Sequence, residues 1–200
     1  MFVIGLTGGI ASGKSTVARL LGERGAVVLD ADLLGHRAYE PGAGAYRGVV
    51  EAVGGDVVAE VGTIDRKTLG AKVFGKPEQL DRLTGIVWPE IRALARREID
   101  AADPASIVVL EAAVLLEAGW QDLADEVWVV VVDPEVAVDR AVARGGLDAA
   151  AVRARIDAQL SNDERKAHAD LVIDNSSDAD ALEAAVDRAW AGVQKRASGS

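Results

Sequence analysis

The stretch GGIASGKST, from Gly8 to Thr16, carries the most legible chemistry in this chain. It has the spacing GxxxxGKS, set by Gly8 and by Gly13-Lys14-Ser15, and it lies between an apolar run and an amphipathic one. That is the context a phosphate-binding loop requires. Gly8, Gly9 and Gly13, with Ile10, Ala11 and Ser12 between them, let successive backbone N–H groups turn toward one anion, and a helix opening near Gly13 adds its positive end. Lys14 supplies a full charge for β- and γ-phosphate oxygens. Ser15 offers a hydroxyl to Mg2+, which takes few protein ligands when phosphates are present, and Thr16 is placed to reach the α-phosphate. The loop predicts a nucleoside triphosphate with Mg2+ and leaves the phosphoryl acceptor open.

Phosphoryl transfer needs an oxygen placed in line and a group to take its proton, work suited to a carboxylate. Asp30 and Asp32 follow the apolar run AVVL. Two apart on an extended backbone, they would point the same way, one serving the reaction and the other fixing the turn. The alternative for Asp32 is a helix cap before Leu33, since aspartate is a favoured N-cap. Glu111 closes a later apolar run, where a phosphate-loop fold carries an acidic residue that orients Mg2+ through water; its alternative is a solvated strand end. Arg140, Arg144, Arg153, Arg155 and Arg165 crowd a segment with few apolar anchors. A guanidinium forms two parallel bonds to phosphate oxygens, and Arg140 and Arg144 are favoured for that work because they follow the fourth apolar run.

Five Val- and Ile-rich runs must position these groups: FVIGL (2–6), AVVL (26–29), SIVVLEA (106–112), EVWVVVV (126–132) and DLVID (170–174). Unbroken apolar runs of strand length predict burial on both faces, as in a parallel sheet covered by helices. Helical spacing joins Val17, Leu20 and Leu21 after the loop, and Leu83, Val87, Ile91, Leu94 and Ile99 in a long helix that Pro89 should interrupt. The expected fold is α/β: a three-layer P-loop NTPase domain with a five-stranded parallel sheet and right-handed crossovers. Residues 33–105 carry no comparable strand run and predict a helical, acceptor-binding lobe inserted in that one domain. Residues 134–169 predict an exposed, mobile arm serving as a lid, and residues 197–200 a disordered tail.

Half of the 200 residues are apolar, enough for one well-filled core and too few for two full domains of ordinary size. The net charge of -10 sets a field that repels nucleic acid and anionic membranes, so a phosphate site must be built locally. With no cysteine, disulfides, thiolate zinc sites and cysteine nucleophiles are excluded. The opening MFVIGL lacks the basic flank of a signal peptide, and no later run is long enough to span a bilayer. A cytoplasmic chain with a small-molecule partner, and neither nucleic acid nor membrane, is expected.

The loop alone fits a kinase acting on a small molecule or nucleoside phosphate, and it also fits a nucleotide-dependent switch. A GTPase-type switch would carry an NKxD-like guanine reader near the fourth strand, and the chain has none. Longer motifs resemble the dephospho-coenzyme A kinase family over nearly the whole chain: GLTGGIASGKST, LDADLLGHRAYEPG, GTIDRKTLGAKVF, VVLEAAVLLEAGW and RIDAQLSNDERKAHADLVIDN, in that order. LGHRAYEPG, WPEI and AAVLLEAGW are similar to the kinase half of animal bifunctional coenzyme A synthase. So are two departures from the commoner bacterial pattern, Trp88-Pro89 in place of His-Pro and Ala113-Val114 in place of a proline before the paired leucines. The resemblance implies transfer of the γ-phosphate of ATP to the ribose 3'-hydroxyl of dephospho-coenzyme A. It implies Asp32 as the base, Lys14 and Arg140 as neutralisers of developing charge, and Ser15 with Glu111 at Mg2+. His36, Arg66, Phe74, Leu115 and Arg165 would meet the acceptor, with Tyr39 beside them, while Arg144 and Asn175 would lie against ATP. Trp88, Trp120 and Trp128 are read as packing residues.

Overall fold

The five apolar runs become strands β1 (Phe2–Gly8), β2 (Val27–Asp30), β3 (Ile107–Glu111), β4 (Glu126–Val131) and β5 (Leu171–Asp174), hydrogen-bonded in the order β2-β3-β1-β4-β5. β1 pairs in parallel with both β3 and β4, and β4 with β5. The chain runs from central β1 out to β2 and returns through β3, so the sheet order reverses beside β1. In open parallel sheets ligands bind beyond the carboxyl ends of the strands at such a reversal. The two strands that meet there end in Gly8 and Glu111.

The computed structural model describes residues 1–146 and 148–199, and these fall into two compact units. The first comprises Met1–Leu29 and the chain from Ala102 onward. It holds the sheet with α1 (Lys14–Glu23), α6 (Pro134–Ala143), α7 (Ala149–Asp157), α8 (Asn162–Lys166) and α9 (Ala179–Ser198). Alternate strand residues Ile4, Leu6, Val109, Trp128, Val130 and Ile173 pack on α1 through Val17 and Leu21, and on α9 through Leu182 and Val186. The opposite sheet face is covered too, since Val108, Leu110 and Val129 have no exposed surface. α9 extends to Ser198, so residues 197 and 198 are helical where a disordered tail was expected; Ser200 lies outside the described residues.

The second unit, Asp30–Ala101, is built from α2 (Ala31–Ala38), α3 (Tyr46–Val53), α4 (Arg66–Val73) and α5 (Pro77–Ala101), with one antiparallel bridge between Val58 and Ile64. Contrary to the expected interruption, α5 continues through Pro89 for 25 residues. Its buried residues Val87, Ile91, Ala95 and Ile99 recur every fourth position on both sides of the proline. Burial of that continuous stripe outweighs the one N–H that proline removes. No helix among the described residues is long and apolar enough to cross a membrane.

Candidate active site

The phosphate loop joins β1 to α1 without a spare residue. Ser12 N–H donates to the Gly9 carbonyl at 3.2 Å, and Ala11 lies in the left-handed region with φ 54°. A non-glycine residue there stores strain of about 1 kcal/mol. Gly13, at φ 92°, opens α1, and a side chain at Gly13 would run into the Asn175 amide. No side chain caps α1 and no acidic residue occupies its first turn, so its leading N–H groups are open to an anion. A cavity of about 110 Å3 over these groups is lined by Gly9, the run from Ala11 to Thr16, and Arg144.

Glu111 is 8 % exposed and is therefore no solvated strand end. Its Oε1 accepts from Lys14 Nζ at 3.0 Å and from Ser15 Oγ at 2.7 Å. A hydroxyl and a carboxylate oxygen thus converge beside the open end of α1. These are hard oxygen donors, few in number, and they fit Mg2+, which completes its shell with phosphate oxygens and water. Among the described residues no cluster of three or more His, Cys, Asp or Glu could hold a metal without such help.

Most of the arm, residues 134–169, is exposed as expected, but its arginines sit in different surroundings. Arg140 donates from Nη1 to the Asn175 carbonyl at 2.8 Å and from Nη2 to the Ser177 carbonyl at 3.3 Å, so two of its five N–H donors are held by main chain. The Asn175 side chain is likewise occupied: its amide donates to the Ser12 carbonyl at 2.8 Å. Asn175, in the β5–α9 turn, therefore braces the phosphate loop, and Arg140, from α6, braces that turn. Arg144 is exposed, and its side chain forms no hydrogen bond or ion pair with the described residues. Arg153 pairs with Glu135. Arg165 is only 3 % exposed, and burial pushes its guanidinium below the usual arginine range, opposed by Glu117 and Glu164. With Gly9, Ile10 and Ser12 it borders a cavity of about 610 Å3 between the loop and the α7–α8 segment. Leu115, expected at the acceptor, is fully buried; it packs against Gly5 of β1, where a Cβ would come within 2.9 Å of it. It has no surface left for a ligand.

In the second unit Asp30, the last residue of β2, caps α2: its Oδ1 accepts from Asp32 N–H at 2.8 Å and Leu33 N–H at 3.3 Å. The two aspartates are thus not an extended pair, and the cap considered for Asp32 belongs to Asp30. The Asp32 carboxylate is exposed and forms no hydrogen bond or ion pair with the described residues. Arg66 Nη1 donates to His36 Nε2 at 2.6 Å; because arginine only donates, this bond needs an unprotonated Nε2. Arg66, Tyr39, Phe74 and Trp88 line an apolar cavity of about 290 Å3. Burial raises the Tyr39 hydroxyl above its usual range, opposed by Arg66. Phe74 is 73 % exposed. Trp120 and Trp128, by contrast, are core residues.

Of the two aspartates, Asp30 is the one that fixes the turn. One contributor carries no mark in periodicity or spacing. Gln159, whose side chain reaches Ile10 of the loop, sits in a motif where nothing but its side-chain chemistry sets it apart.

The family profile described as Dephospho-CoA kinase matches residues 2–181. A dephospho-CoA kinase of Geobacter sulfurreducens is 44% identical over 193 residues, covering 96% of this chain and 98% of that one. A Thermus thermophilus crystal structure superposes with a TM-score of 0.80 at 36% identity, covering 96% of this chain and 97% of that chain. The dephospho-CoA kinase of Campylobacter jejuni, at 24% identity and a TM-score of 0.75 over 96% of this chain and 97% of its own, shares the fold.

Proposed function

Because this chain belongs to the dephospho-CoA kinase family and phosphorylates dephospho-coenzyme A with ATP, we propose that Asp32 is the base that takes the proton of the attacking ribose 3'-hydroxyl. One observation carries this role. Asp30 already satisfies the first-turn N–H groups of α2, which leaves the Asp32 carboxylate without a competing bond. As the 3'-oxygen bonds to the γ-phosphorus, the bond to the β,γ-bridging oxygen breaks, ADP departs, and the hydroxyl proton rests on Asp32.

The other roles follow from what each side chain has free. Lys14 exchanges its bond to Glu111 for β- and γ-phosphate oxygens. Arg144, on the wall of the phosphate-loop cavity, takes the charge-neutralising role first expected of Arg140. Ser15 and Glu111 would hold Mg2+, which when bound spreads positive charge across the β- and γ-phosphates. The loop from Gly8 to Thr16 receives the phosphates of ATP, with Asn175 holding its shape. Arg165 meets the reaction on the acceptor side. His36 and Arg66 bind acceptor phosphates, and the apolar cavity by Tyr39 and Phe74 takes the pantetheine end. The setting we propose is the cytoplasm, supported by a chain free of cysteine.

Asp32→Asn tests the base. Coenzyme A formation should fall by about two to four powers of ten while ATP affinity, measured by calorimetry, stays within about twofold. Turnover near that of the unaltered chain would remove Asp32 from the chemistry. ATP consumption stimulated by another acceptor and not by dephospho-coenzyme A would overturn the acceptor assignment instead.

A further inference from the structure

A side chain so far without a role touches the phosphate loop directly. Gln159, in the turn after α7, accepts a hydrogen bond from Ile10 N–H at 3.0 Å. Its side chain is exposed and forms no other hydrogen bond with the described residues. Its oxygen lies 3.6 Å from the point a Cβ on Gly9 would occupy, and Arg165 Nη1 lies 3.3 Å from the same point. Gln159 and Arg165 thus close over one glycine of the loop.

Arg165 is unusual in its own right. Nη1 donates to the Leu160 carbonyl, but Nε and Nη2 are buried without a hydrogen-bond partner, and the nearest carboxylate, Glu117, stands 4.0 Å from Nη2. Leaving charged donors unmatched in a buried place is costly. A fold that tolerates this beside a phosphate loop keeps a cation ready for an anion. Holding the guanidinium there requires its segment to be tied down. Among the described residues, the bond from Ile10 N–H to Gln159 is the hydrogen bond that joins residues 158–166 to the phosphate loop.

We propose that Gln159 is a positioning residue for phosphoryl transfer: it pins the α7–α8 turn to the loop at Ile10 and so holds the Arg165 guanidinium over Gly9 for the phosphoryl group in transit. This role rests on Arg165 meeting the reacting groups. A neutral amide suits the position, because a carboxylate there would pair with Arg165 and repel the phosphates.

Steady-state kinetics on Gln159→Leu, Arg165→Lys and the double variant test it, with thermal melts as the check on folding. Gln159→Leu should lower kcat about 10- to 100-fold, the scale of a small misplacement, with KM for ATP changed less than about threefold. Its melting temperature should not move, since Gln159 is exposed. The double variant should fall little further than Arg165→Lys alone, because two residues acting through one contact are not additive. A Gln159→Leu kcat close to that of the unaltered chain, a loss confined to KM, or full additivity would overturn the proposal. An Arg165→Lys variant of unchanged kcat would remove the role of Arg165 itself, and with it that of Gln159.

Discussion

Glu111 illustrates how one atom can serve two states. Its Oε1 accepts from both Lys14 and Ser15, so in the ligand-free chain it is the counter-charge of the residue that later grips phosphate. Glu111→Gln keeps the shape and removes the charge. The nucleotide-free protein should lose about 1.5–3 kcal/mol of stability, the worth of a charged hydrogen bond. The loss should be larger with Mg2+ and ATP present, because the variant also lacks the carboxylate that would hold Mg2+ and so gains less from binding them. Thermal melts with and without nucleotide decide it: an equal loss in both would mean that Glu111 is a purely structural partner. The loop itself is readable from sequence because glycine spacing encodes backbone geometry directly. The division of work between Asp30 and Asp32 is not, because either aspartate can cap a helix and only the start of α2 at Ala31 assigns the cap. Leu115 shows the reverse error: a residue inside a functional motif can be there to fill the space above a glycine, as it does at Gly5.

Elements whose signal is local were legible, and those settled by packing were not. The five strands lie within a residue or two of the apolar runs, but the expected burial on both faces holds only for the inner strands β1, β3 and β4. At the sheet edges Val27 and Val28 of β2 and Val172 of β5 are exposed, because an edge strand has a neighbour on one side only. Proline propensity is local and predicts an interruption in α5, while the apolar stripe of Val87, Ile91, Ala95 and Ile99 acts over the whole helix. Pro89 is exposed, and its missing N–H remains a cost. Pro89→Ala should therefore stabilise the chain by about 1–3 kcal/mol, in line with helix-interior proline penalties. Urea unfolding would measure it, and a destabilised variant would mean that the ring packs to advantage. The arm arginines were likewise illegible as individuals. Arg140, Arg144 and Arg165 share a residue type and differ in their surroundings: main-chain carbonyls, an open phosphate cavity, and burial beside Gly9.

For the molecule as a whole, the net charge of -10 opposes the approach of two anionic substrates, and only locally placed cations overcome it. Raising ionic strength shortens the screening length from about 30 Å at 0.01 M to about 8 Å at 0.15 M. Long-range repulsion fades over that interval while contacts at bonding distance persist. The ratio kcat/KM for ATP should therefore rise across this range, measured at fixed free Mg2+, the opposite of a protein that steers anions in. A steep fall would show that local cations dominate the encounter as well as the grip. The absence of cysteine matters differently once the acceptor is known. Substrate and product both end in a thiol, and under oxidising conditions such a molecule forms mixed disulfides with any accessible protein sulfhydryl. This chain offers none, so it can hold a sulfur-bearing metabolite through every turnover without becoming covalently tagged by it.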